Sequence, residues 1–288
     1  MKAVLDIGSN SVRMIVFDGE KVVSRGLINS RLGEDLAKEN NLLPEAAART
    51  VAAIGALIGK AKAADAECGV FAFATEAARR AKNGKAFLDE IERLYGLKVD
   101  LLSGEKEAEI ALYGVLCGED GAVLDIGGAS SELAVSSRGK IVYKKSLKTG
   151  AGVLTDARFN GLAELSRYLK ERVKEYGKLP EIKRLYLIGG TASACAMIAK
   201  GLERYDYDSV DKTKLDSKTV SKIADELFAL SVKERMERFH LSETRAIVLP
   251  CGAGLLAEII EYISPEEVFV SERGNIEGYY FSEINPKR

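Results

Sequence analysis

VLDIGSNS, from Val4 to Ser11, returns much later in the chain as VLDIGGASS, from Val123 to Ser131, with the pentapeptide VLDIG identical in both. Composition alone seldom writes such a recurrence, and the flanks extend it. After the first copy, VRMIVFDGEKVVSRGLI reads as two strands joined at Asp18 and Gly19, a dipeptide favoured in tight hairpins. After the second, SELAVSSRGKIVYKKSL reads the same way, with its turn near Ser137 to Gly139. Each VLDIG therefore opens a three-stranded meander. The interval approaches a domain length, too long for a solenoid unit and suited to two similar domains.

Helix and strand then alternate in both halves, the mark of α/β crossover units. In the first, an Ala-rich helix starts near Pro44 and runs to about Ala64, followed by strand ECGVFAFAT, helix GKAFLDEIERLYG, strand LKVDLL and helix GEKEAEIALYGV. In the second, LAELSRYLKERVKEYG is helical, KRLYLIGGT is strand into turn, and TASACAMIAKGL begins a helix there. KTVSKIADELFAL and PCGAGLLAEIIEYI are further helical stretches, and EEVFVSE is a last strand. The expected domains are 1–117 and 118–274, with 275–288 a helix returning to the first.

The 288 residues are 47% hydrophobic and 30% charged, an ordinary globular balance with enough apolar side chains for two cores. With 42 basic and 43 acidic residues, a nucleic-acid binder with an overall basic field is disfavoured. Cys68, Cys117, Cys195 and Cys251 lie far apart, so neither a zinc site nor a disulfide framework is suggested. No leader precedes AVLDIG and no stretch approaches roughly 18 uninterrupted apolar residues, so a cytoplasmic chain without a membrane partner is expected. Self-pairing is common among soluble proteins, although no specific patch announces it.

Each VLDIG places an acid, Asp6 or Asp125, at the end of a buried strand, just before a turn of Gly and hydroxyl residues. Backbone N–H groups in such turns form concavities for anions, while a plain hairpin turn uses the same residue types. A third Gly-rich turn, LIGGTASACAMI, brings Gly189, Gly190 and Thr191 to a helix start, either an anion site or a Thr-capped connection. In LLSGEKEAEIALYGV, Ser103 reads as an N-cap; Glu105 and Glu109 share one face, and Glu107 lies on the apolar stripe with Ile110, Ala111 and Gly114. A carboxylate there is either a helix-start acid that favours the dipole or a functional group.

Taken in order, DIGSNS, TEAARRA, SGEKEA, LDIGGASSE and IGGTAS resemble the exopolyphosphatase and guanosine pentaphosphate phosphatase family (Ppx/GppA), within the sugar kinase, Hsp70 and actin superfamily. The resemblance covers nearly the whole chain, extending to RAIVLPCGAGLLAEII and VSERGNIEG. It implies an α/β fold of two ribonuclease-H-like (actin-like ATPase) domains, each a mixed five-stranded sheet flanked by helices, with the active-site cleft between them. It also implies metal-assisted hydrolysis of a terminal phosphoanhydride. Glu107 matches the family's catalytic glutamate, the base or positioner of the attacking water, Glu132 a second essential glutamate, and Arg79 an arginine near the phosphates. Asp6, Asp125 and Glu132 would hold Mg²⁺ or a similar divalent cation. Gly8, Ser9, Asn10 and Ser11 match one phosphate loop; Gly127, Gly128, Ala129, Ser130 and Ser131 match the other, with Gly190 and Thr191 as further phosphate contacts. Lys106, Glu109 and Ala129 depart from the family's usual residues.

The expected substrate is inorganic polyphosphate or guanosine pentaphosphate, which share the scissile bond. A superfamily kinase and a non-catalytic sensor that closes on a nucleotide or polyphosphate are the alternatives; water activation by Glu107 disfavours the kinase. Lys144, Lys145 and Lys148 could track a polyphosphate tail, whereas a lysine-rich strand edge more often is a solvated face that resists aggregation. His240, the sole histidine, reads as a surface or helix-end residue.

Overall fold

The computed structural model describes residues 1–34, 36–128 and 130–286, and at 37, 38, 105 and 108 the backbone alone. Ala129 and the Glu105 side chain therefore lie outside the described residues. The chain divides into two compact units, Met1–Gly114 with Asn275–Arg288, and Val115–Gly274. The division falls about one turn before the boundary expected from sequence.

In the first unit, β1 (Lys2–Ile7), β2 (Ser11–Asp18) and β3 (Lys21–Asn29) form the meander. A short helix α1 (Leu36–Glu39) and the long α2 (Pro44–Ala64) lead to β4 (Gly69–Ala74), α3 (Glu76–Arg80), α4 (Gly84–Tyr95), β5 (Val99–Leu101) and α5 (Gly104–Leu116). The sheet order is β3-β2-β1-β4-β5, with β1 antiparallel to β2 and parallel to β4. Alternation along β1 sends Ala3, Leu5 and Ile7 into a core with Ile54, Leu57 and Ile91 from α2 and α4. Val4 faces the other side, in a second core with Ile110 of α5 and Ile276, Tyr279, Tyr280 and Phe281 from the C-terminal segment.

The second unit repeats the plan with β6 (Gly121–Ile126), β7 (Ser131–Ser137) and β8 (Lys140–Leu147), then α6 (Ala151–Ala157) and α7 (Leu162–Arg172). Next come β9 (Arg184–Ile188), α8 (Gly189–Lys200), α9 (Tyr207–Val210), α10 (Ser217–Ala229), α11 (Val232–Phe239), α12 (Glu243–Ile263) and β10 (Glu267–Val270). Its sheet runs β10-β9-β6-β7-β8. The expected turn before α8 is a single residue: β9 ends at Ile188, and Gly189, at φ 82, turns the chain straight into the helix, with no side-chain cap. Helix α12 begins before Pro250, which sits inside it, and has a mean hydropathy of 1.7 over a window long enough for a membrane span. Of that window, 67% is buried in the protein, which makes α12 the central core helix of this unit. His240 ends α11 in a left-handed conformation, φ 52.

The repeat extends to fine detail. Both hairpins carry one extra residue at the matching place, Val23 between Phe17↔Val22 and Val16↔Ser24, and Val142 between Ser136↔Ile141 and Val135↔Tyr143. The C-terminal segment, α13 (Asn275–Tyr279) continuing as a π-helical turn (Tyr280–Ile284), belongs to the first unit alone. Phe17 and Tyr280 stack at 3.9 Å between centroids, and Glu277, 4% exposed, pairs with Arg25 of β3 at 3.2 Å. Gly278 lets this segment meet α5: a Cβ there would lie 1.9 Å from the Ile110 carbonyl oxygen.

Candidate active site

Sequence alternation decides where Asp6 points. Two residues beyond Val4 on β1, it faces the side of the sheet covered by α5, the helix that carries Glu107. Ser103 caps α5 by accepting from the Lys106 amide at 3.1 Å, as its position before the acidic run suggests. Arg79 on α3 donates to the Leu102 carbonyl at 2.6 Å and pairs with Glu107 at 3.5 Å. The backbone bond fixes the guanidinium, and the guanidinium in turn holds a partly exposed carboxylate. Lys106 points elsewhere, to Glu283 of the C-terminal segment at 2.8 Å.

Asp6 is 8% exposed and its Oδ1 has no hydrogen-bond partner among the described residues. Burial pushes its carboxyl up to about 6, against the pull of Arg13, and the negative charge of Glu107 adds to the rise. A buried, unpartnered carboxylate oxygen beside a second acid is suited to a hard cation. Arg13 escaped the sequence reading, although it stands opposite Asp6 in the β1–β2 register, where the repeat has Glu132 opposite Asp125. The repeat itself was the signal that could have found it.

The two loops share one construction. Gly8 donates its amide to the Ser11 carbonyl at 3.1 Å, and Gly127 to that of Ser130 at 2.9 Å, so these amides close the turns. Behind them, Gly33 donates to the Ser9 carbonyl and Gly152 to the Gly128 carbonyl, each at 2.8 Å. Asn10 accepts from Ser30 and Arg31, and Gly127 from Ala151. With the loop carbonyls held, the amides of Ser9, Asn10 and Gly128 have no hydrogen-bond acceptor among the described residues. These N–H groups are available to an anion. Gly33 and Gly152 were not singled out from sequence; a Cβ would sit 3.1 Å from Ser9 Cβ and 3.0 Å from the Gly128 oxygen.

In the second unit Asp125 and Glu132 are direct cross-strand partners and therefore share a face, and Ser146 of β8 donates to Glu132 Oε1 at 2.7 Å. Gly189, at φ +82, packs against Asp125: a Cβ would lie 2.4 Å from its Oδ1. Two hydroxyls expected at the phosphate are turned inward. Ser131 is fully buried and its Oγ receives the Tyr176 hydroxyl at 2.9 Å, while Thr191 donates to the Ile126 carbonyl at 3.4 Å. Gly190 lies against the Arg245 guanidinium, 2.1 Å from where its Cβ would be. The expected phosphate contact at Ala129 lies outside the described residues.

Among the described residues no three His, Cys, Asp or Glu side chains gather into a metal-binding group. Mg²⁺ needs no full protein cage, because it keeps several waters and takes one or two carboxylates together with substrate phosphates. In the second unit the paired oxygen donors Asp125 and Glu132 fit that chemistry, and in the first unit Asp6 does.

The family model for the Ppx/GppA phosphatases matches residues 4–286. The bifunctional 3-dehydroquinate synthase/phosphatase of Fusobacterium nucleatum is 29% identical over all of this chain and 47% of its own length. The guanosine-5'-triphosphate,3'-diphosphate pyrophosphatase of Pseudoalteromonas translucida is 26% identical over 97% of this chain and 58% of its own. This chain thus spans about half to three-fifths of those relatives. The crystal structure of the Aquifex aeolicus Ppx/GppA phosphatase, 26% identical, aligns over 98% of this chain and 99% of its own with a TM-score of 0.86. With two mixed five-stranded sheets flanked by helices, the actin-like architecture of those enzymes, the chain belongs to the Ppx/GppA phosphatase family.

Proposed function

We propose that the chain hydrolyses the terminal phosphoanhydride of inorganic polyphosphate and, through the same bond, of guanosine pentaphosphate. The observation that carries this reading is the Arg79–Glu107 pair at 3.5 Å, set in one unit with the buried Asp6 and the unengaged amides of Ser9 and Asn10. A carboxylate held by an arginine is placed to orient a water, and the arginine to offset charge on phosphoryl oxygens. Glu107 accepts the proton as water oxygen attacks the terminal phosphorus; the bridging P–O bond breaks, and its electron pair leaves on the shortened chain. In the first unit the amides of Ser9 and Asn10 bind non-bridging oxygens, and in the second the Gly128 amide is available for the same role. Asp6 in the first unit, and Asp125 with Glu132 in the second, are the residues that would hold Mg²⁺, which would supply neutralisation of phosphate charge.

The test is phosphate release from polyphosphates of defined length, guanosine pentaphosphate, and ATP with sugars, all with Mg²⁺. Terminal phosphate release from either of the first two is expected, and Glu107→Gln should reduce it at least about 100-fold, the usual contribution of a general base. Binding without release would favour a sensor. Phosphate transfer to sugar would favour a kinase, and either outcome overturns the proposal.

A further inference from the structure

We infer that Glu283 is a positioning residue for the candidate catalytic Glu107, acting through Lys106, an inference that rests on the phosphohydrolase reading above. Glu107 stands where α5 has little packing to hold it. Leu102 and Ile110 are buried, but none of the described side chains between them is, so the first turn of the helix has no apolar anchor among them. Polar ties fix it instead. On one side Arg79 donates to the Leu102 carbonyl, reaches Glu107 at 3.5 Å and passes beside Gly104. On the other, Lys106 pairs with Glu283 of the C-terminal segment at 2.8 Å. Successive helix residues project about 100° apart, so the two ties grip the turn from different directions.

The C-terminal segment is itself well anchored. Phe17 stacks on Tyr280, whose hydroxyl donates to the Gly19 carbonyl at 2.7 Å, and Gly278 meets the Ile110 backbone of α5. Tyr279, four residues before Glu283, donates to Asp100 of β5 at 2.5 Å. Asp100 and Lys106 flank the connection from β5 to α5, so Tyr279 and Glu283 hold that connection at both ends.

Lys106 has an acid one turn along its own helix, Glu109, yet it bonds to Glu283. Their hydrogen bond holds the Glu283 carboxyl below the usual carboxylate range and raises the Lys106 ammonium, so both are charged at neutral pH. The Lys106 and Glu283 side chains are 43% and 40% exposed, and an exposed pair adds little to stability. Its effect is on position: the tie acts on the residue next to Glu107, and a small misplacement of a catalytic group costs much more in rate than such a pair is worth in folding.

The test is Glu283→Gln, which keeps the side chain's shape and removes its charge. It should lower kcat for phosphate release from tripolyphosphate about tenfold with KM within about twofold and the denaturation midpoint unmoved. Hydrogen exchange should quicken about threefold at the Lys106 and Glu107 amides, which bond to Ser103 Oγ and to the Ser103 carbonyl. Lys106→Glu/Glu283→Lys, which rebuilds the pair with its signs reversed, should recover most of both losses. Asp89→Asn, which breaks the exposed Lys85 pair at 2.7 Å on α4, should change neither readout. Unchanged kcat and exchange in Glu283→Gln overturn the inference, and so does a reversed pair as impaired as the single variant. A fall in kcat with wild-type exchange also overturns it, since the turn would then not depend on Glu283. A wild-type protein that releases no phosphate would refute the hydrolase reading, and exchange alone would still decide whether Glu283 holds the turn that carries Glu107.

Discussion

Replacing Asp6 by Asn should stabilise the first unit, and the gain should grow with pH. The native Asp6 carboxyl is raised from 3.8 to about 6, first by burial and then by Glu107, with Arg13 opposing. The native state therefore holds this proton more tightly than the unfolded chain does. The resulting contribution to stability is fully present below the unfolded value and is lost as pH rises through the native value. For a shift of this size the penalty carried by wild type at pH 8 is about 3 kcal/mol, and at pH 5 roughly half of that. Asn does not ionise and escapes it. Its amide donors cost a fixed amount if they find no acceptor, so the diagnostic is the slope with pH and not the offset.

Because the two units need not unfold together, hydrogen exchange at β1 amides is a better measure than a global melt. With a chelator present, the Asp6→Asn advantage should roughly double between pH 5 and pH 8. Added Mg²⁺ should narrow it by stabilising the ionised wild type, while phosphate release by the variant is lost. Parallel stability profiles over this range would refute the claim that a buried, unpartnered carboxylate is retained here at a cost to folding.

Gly152→Ala, with a Cβ only 3.0 Å from the Gly128 oxygen, should raise KM for tripolyphosphate severalfold at a stability cost near about 1 kcal/mol; unchanged KM would release Gly152 from its role behind the loop. Gly278→Ala would put a Cβ 1.9 Å from the Ile110 oxygen and should destabilise the first unit by about 3 kcal/mol, visible in exchange at α5 amides; unaltered protection would refute the close backbone contact. Tyr176→Phe leaves the buried Ser131 hydroxyl without its donor and should cost about 1.5 kcal/mol. Combined with Ser131→Ala, the loss should be smaller than the sum, and strict additivity in chemical denaturation would deny the coupling.

The meanders were legible because turn chemistry and alternation are local: Asp18-Gly19 and Arg138-Gly139 require residues that tolerate positive φ, and Gly19 and Gly139 adopt φ 58 and 70. The bulges were not. Counting back from Ser137↔Lys140 without one would set Lys145 opposite Glu132, whereas the extra residue Val142 sets Ser146 there. Nothing in KIVYKKSL announces the bulge, because its residue is an ordinary strand former. Inward hydroxyls were illegible for a related reason. Ser131 and Thr191 look like phosphate ligands by type, but their partners, Tyr176 and Ile126, are distant in sequence. Glu107 and Arg79 were found because each stands in a recognisable local motif, and the fold then joins them in an ion pair.

The repeat is most informative where its halves differ. The frame is shared down to a bulge at Val23 and Val142 and a glycine amide, Gly33 or Gly152, holding a loop carbonyl at 2.8 Å. On that frame, the partner of the strand-end acid is Arg13 in one unit and Glu132 in the other. A cation beside Asp6 limits the charge gathered with Glu107, while a second acid beside Asp125 concentrates negative charge as a cation site would need. The edge strands also differ, since Arg25 of β3 pairs with the buried Glu277, while its counterpart Lys144 of β8 is exposed. Duplication accounts for the matching backbones, and the changes of charge on them set the units apart: the first pairs Glu107 with Arg79, and the second sets two acids, Asp125 and Glu132, on one face.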